Sequence, residues 1–480
     1  MTETSFAQFL PALPEIYLVG AICALLMFDV FFGLKKPTRT ASVALLLLLG
    51  GAVATLISAD FGHRQVLFSG MYIADDLATL LKLASFLFVA IALFYSGEFL
   101  GRRKLQQGEY YVLVFTALLG VLVLTSAGSL LMVYIGVELL SLSLYALVAF
   151  DRENGVAAEA AMKYFVLGAI ASGIMLYGMS LLYGLSGTLS LAGLATAFSG
   201  PNSLGLILGL AFLVVAVAFK FGAVPFHMWV PDVYQGAPTS VSLLVASVPK
   251  IASFAVAYRL LAEGLGEVSG TWTQMLSVLA VLSLLFGNLI AIAQTNLRRM
   301  LAYSAISNVG FILLGFVTGT GDGYEAALYF TLVYVMVVLG TFGAILLASR
   351  EGFEADEIAD YKGLSSRDPS LAFMVAVLMF STAGIPPFVG FWAKLRIIES
   401  LVNVGHLWLS IIAVVMSVIG AFYYLRIVWV MYFDPPGDLP RGQPRLALRF
   451  VLGLNAAAAL GLGLFPDVLL NVCQTVLHRG

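Results

Sequence analysis

The chain has 480 residues, of which 61% are hydrophobic and 11% charged, whereas a soluble domain carries about 25% charged residues. Water is therefore not the solvent for most of its surface, and lipids are its first expected partner. A net charge of -2, from 25 basic and 27 acidic residues, gives no footing for a nucleic-acid partner or a polybasic anchor.

A bilayer core roughly 30 Å thick needs about 20 apolar residues per crossing helix, and such stretches follow one another almost end to end. The first opens with Glu3 and Glu15, without a basic leader or small-residue cleavage site, so it is expected to stay in the membrane. Apolar runs separated by charged or Gly/Pro punctuation predict 14 spans, starting near residues 14, 41, 76, 110, 130, 160, 204, 239, 274, 299, 325, 371, 407 and 447. The fold class is all-α and polytopic, a single membrane domain over 1–480. Cys23 and Cys473 lie in apolar runs near opposite ends and match no metal-ligand spacing, so no iron–sulfur or zinc site is expected.

Lys and Arg of short loops mark the cytoplasmic side of a membrane protein. Loops after odd-numbered spans hold Lys35, Lys36, Arg39, Arg102, Arg103, Lys104, Arg152, Arg298, Arg299, Arg350, Lys362, Arg367, Arg441, Arg445 and Arg449, and the other side holds only Arg64 and Arg479. A missed or invented helix would destroy this asymmetry, so both termini are expected in the periplasm of a multi-pass bacterial inner-membrane protein. Eight basic residues remain at membrane depth or at helix ends: Lys82, Lys163, Lys220, Lys250, Arg259, Lys394, Arg396 and Arg426.

Spans seven and twelve are too long and too interrupted to be single helices. The first reads FKFGAVPFHMWVPDVYQGAP with Pro225 and Pro231, the second STAGIPPFVGFWAK with Pro386 and Pro387 in tandem. Irregular backbone at membrane depth survives only beside protein or a water-filled cavity, so each break implies a polar interior. In both, a Pro precedes a Phe (Pro225 and Phe226, Pro387 and Phe388) and a Trp follows (Trp229, Trp392). The discontinuous helices sit five spans apart, which suggests two five-helix repeats inverted across the membrane. Three N-terminal helices would occupy 1–100, repeat one 110–262 (helices four to eight), repeat two 274–432 (nine to thirteen), and a last helix 447–472.

Glu138 lies about halfway along span five, with no charged neighbour for more than ten residues on either side. A bare carboxylate there costs several kcal/mol, so it is either protonated or paired with a cation. Two readings stand, a fixed buried ion pair or a titrating proton site. Lys220 precedes the Pro225 break and borders its cavity, either as a proton site or as a cap on the break. Lys250 follows Pro249 in an apolar run, and Lys394 follows the second break as the last site of a chain or the mouth of an exit path. Lys163 is near the cytoplasmic end of span six, where it is either a site or an interface snorkeler. His227, directly after the first break, is placed to relay protons, while His63, His406 and His478 fall in loops or the tail and are expected to be solvated. Arg396 is an anchor or a counter-charge for Glu399. Lys82 and Arg426 lie off the main line, with structural or lipid-facing roles.

Three stretches, FKFGAVPFHMWVPDVYQGAP (219–238), QTNLRRMLAYSAISNVG (294–310) and TAGIPPFVGFWAK (382–394), resemble the antiporter-like subunits of respiratory complex I, the membrane arm of NADH-quinone oxidoreductase, and of multisubunit cation/proton antiporters. Together with Glu138 and Lys250 the resemblance covers spans four to thirteen. It implies a glutamate on helix five paired with a lysine on broken helix seven, and lysines on helices eight and twelve completing a hydrophilic axis. Glu138, Lys220, Lys250 and Lys394 take those positions, with Lys163 beside them. Within the family, Lys394 stands where the subunit M type has a glutamate, and the chain has no room for the lateral helix of the subunit L type. The subunit N type remains, with VPDVYQGAP as its helix-seven motif.

The resemblance implies proton pumping without redox chemistry in this chain. Flavin, iron–sulfur clusters and quinone would belong to partner subunits, and the partners would be other membrane-arm subunits, antiporter-like ones included. The rival readings are a subunit of a cation/proton antiporter or a membrane-bound hydrogenase, and a structural subunit that conducts nothing. Against the last stands the presence of Glu138, Lys220, Lys250 and Lys394 in apolar helices, where a purely structural span gains nothing from them.

Overall fold

A computed structural model describes residues 6–33, 37–103, 105, 107–198, 203–350, 352–436 and 446–478. Lys35, Lys36, Lys104, Arg441, Arg445 and Arg479 of the charge count lie outside the described residues. The apolar stretches are helices because lipid offers no partner for a backbone N–H or C=O, and a helix satisfies these groups within one segment.

In chain order these are α1 (Leu13–Phe28), α2 (Pro37–Ser58), α3 (Asp76–Arg102), α4 (Gly108–Thr125), α5 (Leu130–Val148), α6 (Gly155–Ser186) and the short α7 (Leu191–Ala197). Then follow α8 (Leu204–Phe221), α9 (Trp229–Gly236), α10 (Thr239–Ala246), α11 (Pro249–Ala257), α12 (Ser269–Ile292), α13 (Leu297–Val317) and α14 (Gly321–Ala348). The chain ends with α15 (Leu364–Arg367), α16 (Pro369–Ala383), α17 (Val389–Asn403), α18 (Leu407–Tyr432), α19 (Leu446–Leu464) and α20 (Asp467–His478). Among the described residues, 13 helical stretches are long and apolar enough to cross a membrane. The broken pair α16 and α17 adds one more crossing, in accord with the 14 spans read from the sequence.

Observed helix starts differ from the expected ones by at most five residues, as at α6, which begins at 155 instead of 160. There the side chain of Asn154 accepts from the N–H groups of Val156 and Ala157 and fixes the start a turn earlier. Two features depart from the expectation. A small antiparallel hairpin, β1 (Gln65–Leu67) with β2 (Tyr72–Ala74), interrupts the all-α plan between α2 and α3. Helix eight is also discontinuous, because Pro249 has no N–H to continue α10 and opens α11 instead; its far end is a π-helical turn over Tyr258–Glu263.

Loops sort by parity. After helices three, seven, nine and eleven they meet through Arg298, which donates to Thr239 Oγ1 at 3.1 Å and to Asp356 Oδ2 at 2.9 Å, and through the Arg103–Glu354 pair. Those after helices two, four, six and eight meet at the other end, where Tyr72 bridges to Ala127 and Ser129 to Ser190, and Arg64 pairs with Glu263 at 2.9 Å. Close approaches tie α4 to α5 and α12 to α13: a Cβ on Gly120 would stand 2.6 Å from the Leu140 nitrogen, and one on Gly287 equally near that of Ser307. α14 is buried along its length and packs on α10 and α11 as well as on α16 and α17, so it lies between the two breaks.

Candidate functional site

The break in helix seven begins where α8 runs out of donors. Gly222 takes a left-handed conformation, φ +77°, which ends the helix without a Cβ clash. The last four carbonyls of α8 then need partners, and every one has one. Ala218 accepts from the Ala223 N–H at 2.8 Å, Phe219 from the Trp229 indole at 3.2 Å, Lys220 from the Ser253 hydroxyl at 3.1 Å, and Phe221 from the Lys250 ammonium at 2.6 Å. Beyond the turn the Val224 N–H donates to Ser283 Oγ of α12 at 2.9 Å. Lys250 thus completes the helix end, where the α8 dipole also favours a cation.

Lys220 lies at the same break and points to α5, its Nζ donating to Ser141 Oγ at 2.6 Å. Lys220 and Lys250 line one cavity of about 20 Å³ with Leu124, Ser141, Ser253 and Val256, room for a water molecule. The ion pair between Glu138 and Lys220 that the resemblance implied is not formed. Glu138, half-buried, instead accepts a short hydrogen bond from Ser172 of α6. Ser141 stands one turn further along α5, so hydroxyls separate the two charges.

The second break repeats the arrangement. α16 ends at Gly384, φ +85°, and Lys394 of α17 folds back so that its Nζ donates to the Ala383 carbonyl at 2.9 Å and to Ser417 Oγ at 3.1 Å. Lys250 and Lys394 therefore bind the carbonyl just before a left-handed glycine. Lys394 lines its own cavity of about 20 Å³ with Asn308, Tyr334, Ser381 and Thr382. Pro225 lies in a cis peptide with Val224, and Pro387 in one with Pro386. An amine and an ammonium both donate to a carbonyl, so each lysine can change charge without giving up its bond.

Lys163 does not join this group. Expected beside Glu138, it is exposed and pairs with Asp232 and Glu159, both at 2.8 Å, while Arg299 holds Asp232 from the other side at 2.9 Å. His227 is half-buried on the outer flank of the break between exposed Pro225 and Met228, and its Nδ1 has no hydrogen-bond partner among the described residues. It does not line the lysine cavity. Arg426 caps the end of α12 by donating to the Ile292 carbonyl at 2.9 Å, and Arg396 pairs with Glu399 at 2.9 Å and also with buried Glu325 at 3.4 Å.

Lys82 is not lipid-facing. It is buried against Glu15 at 2.6 Å and the Tyr72 hydroxyl at 2.8 Å. Nearby, buried Arg259 pairs with Asp75 at 2.7 Å and Glu263 at 2.9 Å. Asp75 and Glu263 carry no signal in the sequence, because they sit at span ends and look solvated; only the depth of Arg259 hints that it has partners. Among the described residues, no group of three or more His, Cys, Asp or Glu side chains could hold a metal ion.

Residues 127–420 match the family model described as NADH:quinone oxidoreductase/Mrp antiporter, TM. The NADH-quinone oxidoreductase subunit N of Thioalkalivibrio sulfidiphilus is 49% identical over 97% of this chain and 97% of its own. That of Thiobacillus denitrificans is 50% identical over 98% of this chain and 97% of its own. A chain of respiratory complex I from Thermus thermophilus superposes with a TM-score of 0.81 at 31% identity, covering 95% of this chain and 98% of that one. Identity of this extent, on a matching fold, shows that the chain belongs to the family of antiporter-like membrane subunits that includes the N subunits of NADH-quinone oxidoreductase.

Proposed function

We propose that the chain is a proton-translocating membrane subunit of a bacterial NADH:quinone oxidoreductase, with Glu138, Lys220, Lys250 and Lys394 as its proton sites. The observation that carries this reading is the pair of interrupted helices, each with a buried lysine on the last carbonyl before the break and a small cavity beside it. An ammonium at that place is held by the half-helix dipole, as broken helices of transporters hold cations. A change in a neighbouring charge then shifts which state is favoured, since charges interact strongly where water is scarce.

Protons enter from the cytoplasmic end, load Lys220 and Lys250, pass to Lys394 and leave to the periplasm. Glu138, one turn from Ser141 on α5, biases Lys220 by its charge, and His227 serves a relay only if water joins it to the cavity. Lys163, held by two carboxylates, stands at the entrance. The helices divide into two inverted repeats, 110–262 and 274–432, between the three N-terminal helices and the last one. The matching lysine caps and the close-packed pairs α4/α5 and α12/α13 support that division. Both termini then face the periplasm. Flavin, iron–sulfur clusters and quinone belong to partner subunits, and other antiporter-like subunits are the chain's neighbours in the membrane.

Affinity purification of the tagged chain from its native membrane tests this reading. Co-purification of flavin and iron–sulfur subunits with NADH-dependent quinone reduction is expected; a chain that purifies only with cation/proton antiporter subunits contradicts it.

A further inference from the structure

We infer that the buried Asp75–Arg259 ion pair, with the apolar layer of Leu124 and Val256 next to it, seals the Lys220/Lys250 cavity against the periplasm. This rests on the proton-site reading of those lysines and on the orientation proposed with it.

The helix that carries Lys250 on α11 continues into the π-helical turn that holds Arg259, one of the most deeply buried charges among the described residues, 1% exposed. Its guanidinium is fully occupied. It binds Asp75 at 2.7 Å, both carboxylate oxygens of Glu263 at 2.9 and 3.0 Å, and the Thr125 carbonyl at the end of α4 at 3.1 Å. Asp75 is held in turn as the cap of α3 by the Ala78 N–H at 2.8 Å, and Glu263 by Arg64 at 2.9 Å.

This cluster lies between two cavities. On one side the lysine cavity is walled by Leu124, the residue before Thr125, and by Val256, one turn before Arg259. On the other, Asp75 lines a second polar cavity with Asp60, His63, Thr79 and Lys82. Asp60 and His63 are half or more exposed, which puts that cavity at the molecule's rim. The order from the outside inward is a polar recess, a carboxylate–guanidinium lock, one apolar layer, and the lysines.

A guanidinium cannot lose its proton in a protein, so Arg259 cannot pass one on, and its bonds to Asp75, Glu263 and the Thr125 carbonyl leave none of its N–H groups free to join a water chain. Asp75 and Glu263 balance it without opening a path. A plain tether between α3 and helix eight needs no buried charges, because apolar packing of the same volume holds as well or better.

The test is passive proton permeability of the purified complex in liposomes, read with an entrapped pH dye after an acid pulse without substrate. Uncoupled NADH oxidation confirms assembly. Asp75→Asn is expected to raise permeability about tenfold, the rate change that corresponds to about 1.4 kcal/mol of barrier, and Asp75→Glu to restore tightness. Leu124→Ala, which leaves every ion pair in place, is expected to leak as well, and it decides the question if Asp75→Asn fails to assemble. An assembled Leu124→Ala complex as tight as the parent overturns the seal. Lys250→Ala separates the two claims: if it abolishes pumping while Leu124→Ala stays tight, only the seal is wrong. If Lys250→Ala pumps normally, the proton-site reading falls and the seal with it.

Discussion

The ammonium of Lys250 donates to the carbonyl oxygen of Phe221 across 2.6 Å, closing the end of α8 from a different helix. Because the acceptor is a carbonyl and not a carboxylate, the contact does not lock the lysine in its charged form. That distinguishes Lys250 from Lys82, whose ammonium faces the Glu15 carboxylate at 2.6 Å.

Lys250→Arg is the sharpest discriminator between a proton carrier and a structural cap. Arginine keeps the positive charge and the donors but cannot release a proton. The expected result is an assembled complex whose proton pumping, followed by quenching of a pH-sensitive dye in vesicles, falls nearly as far as in Lys250→Ala. Full pumping in Lys250→Arg would assign the residue to the helix end alone.

Gly384→Ala tests the lysine of the second break through the backbone. The left-handed conformation costs a non-glycine residue about 1–2 kcal/mol, and the new methyl would stand 2.9 Å from Lys394 Cδ and 3.3 Å from its Nζ. Pumping is expected to drop at least severalfold while α16 and α17 still form. Gly97→Ala, which meets nothing within 4 Å, should match the parent in the same assay.

Lys220 rests on the Ser141 hydroxyl, so Ser141→Ala should impair pumping although it removes no charge. Leaving the half-buried ammonium without its acceptor costs about 1–3 kcal/mol. Ser141→Thr is expected to restore it. Glu138→Asp keeps the charge at shorter reach and should outperform Glu138→Ala; equal losses in the vesicle assay would speak against a role for the charge.

Asp75 sits just outside the span of α3, and its pH dependence has a definite sign. Burial alone would raise its carboxyl, but Arg259 and the Ala78 N–H hold it below the usual value. A carboxyl lowered on folding stabilises above its unfolded value, about 3.9, and that contribution is lost as pH falls through the folded value. The unfolding temperature of the detergent-solubilised protein should therefore fall as pH drops below about 4. Asp75→Asn should be less stable at neutral pH, with a shallower acid limb.

Much of the fold was legible because lipid imposes one rule on every crossing segment, and the parity of Lys and Arg fixed the helix count without reference to packing. The breaks announced themselves through Pro225 and the Pro386–Pro387 pair. What the residues could not tell was the identity of each lysine's partner. Lys220 finds a serine 79 positions away and Lys250 a backbone carbonyl 29 positions away, and neither acceptor has a signature in composition or spacing. Lys163 was placed beside Glu138 on resemblance, whereas the Asp232 carboxylate, visible in VPDVYQGAP, captures it. The interruption of helix eight was readable from Pro249, yet an apolar run on both sides made one continuous span the natural expectation.

The most direct measurement is the number of protons moved per NADH oxidised by the reconstituted, fully assembled complex carrying Lys220→Ala or Glu138→Ala in this chain. Each change should keep NADH-dependent quinone reduction measurable and remove most of this chain's share of translocation. Parental proton transfer in both assembled variants would contradict the assignment of protons to these two side chains.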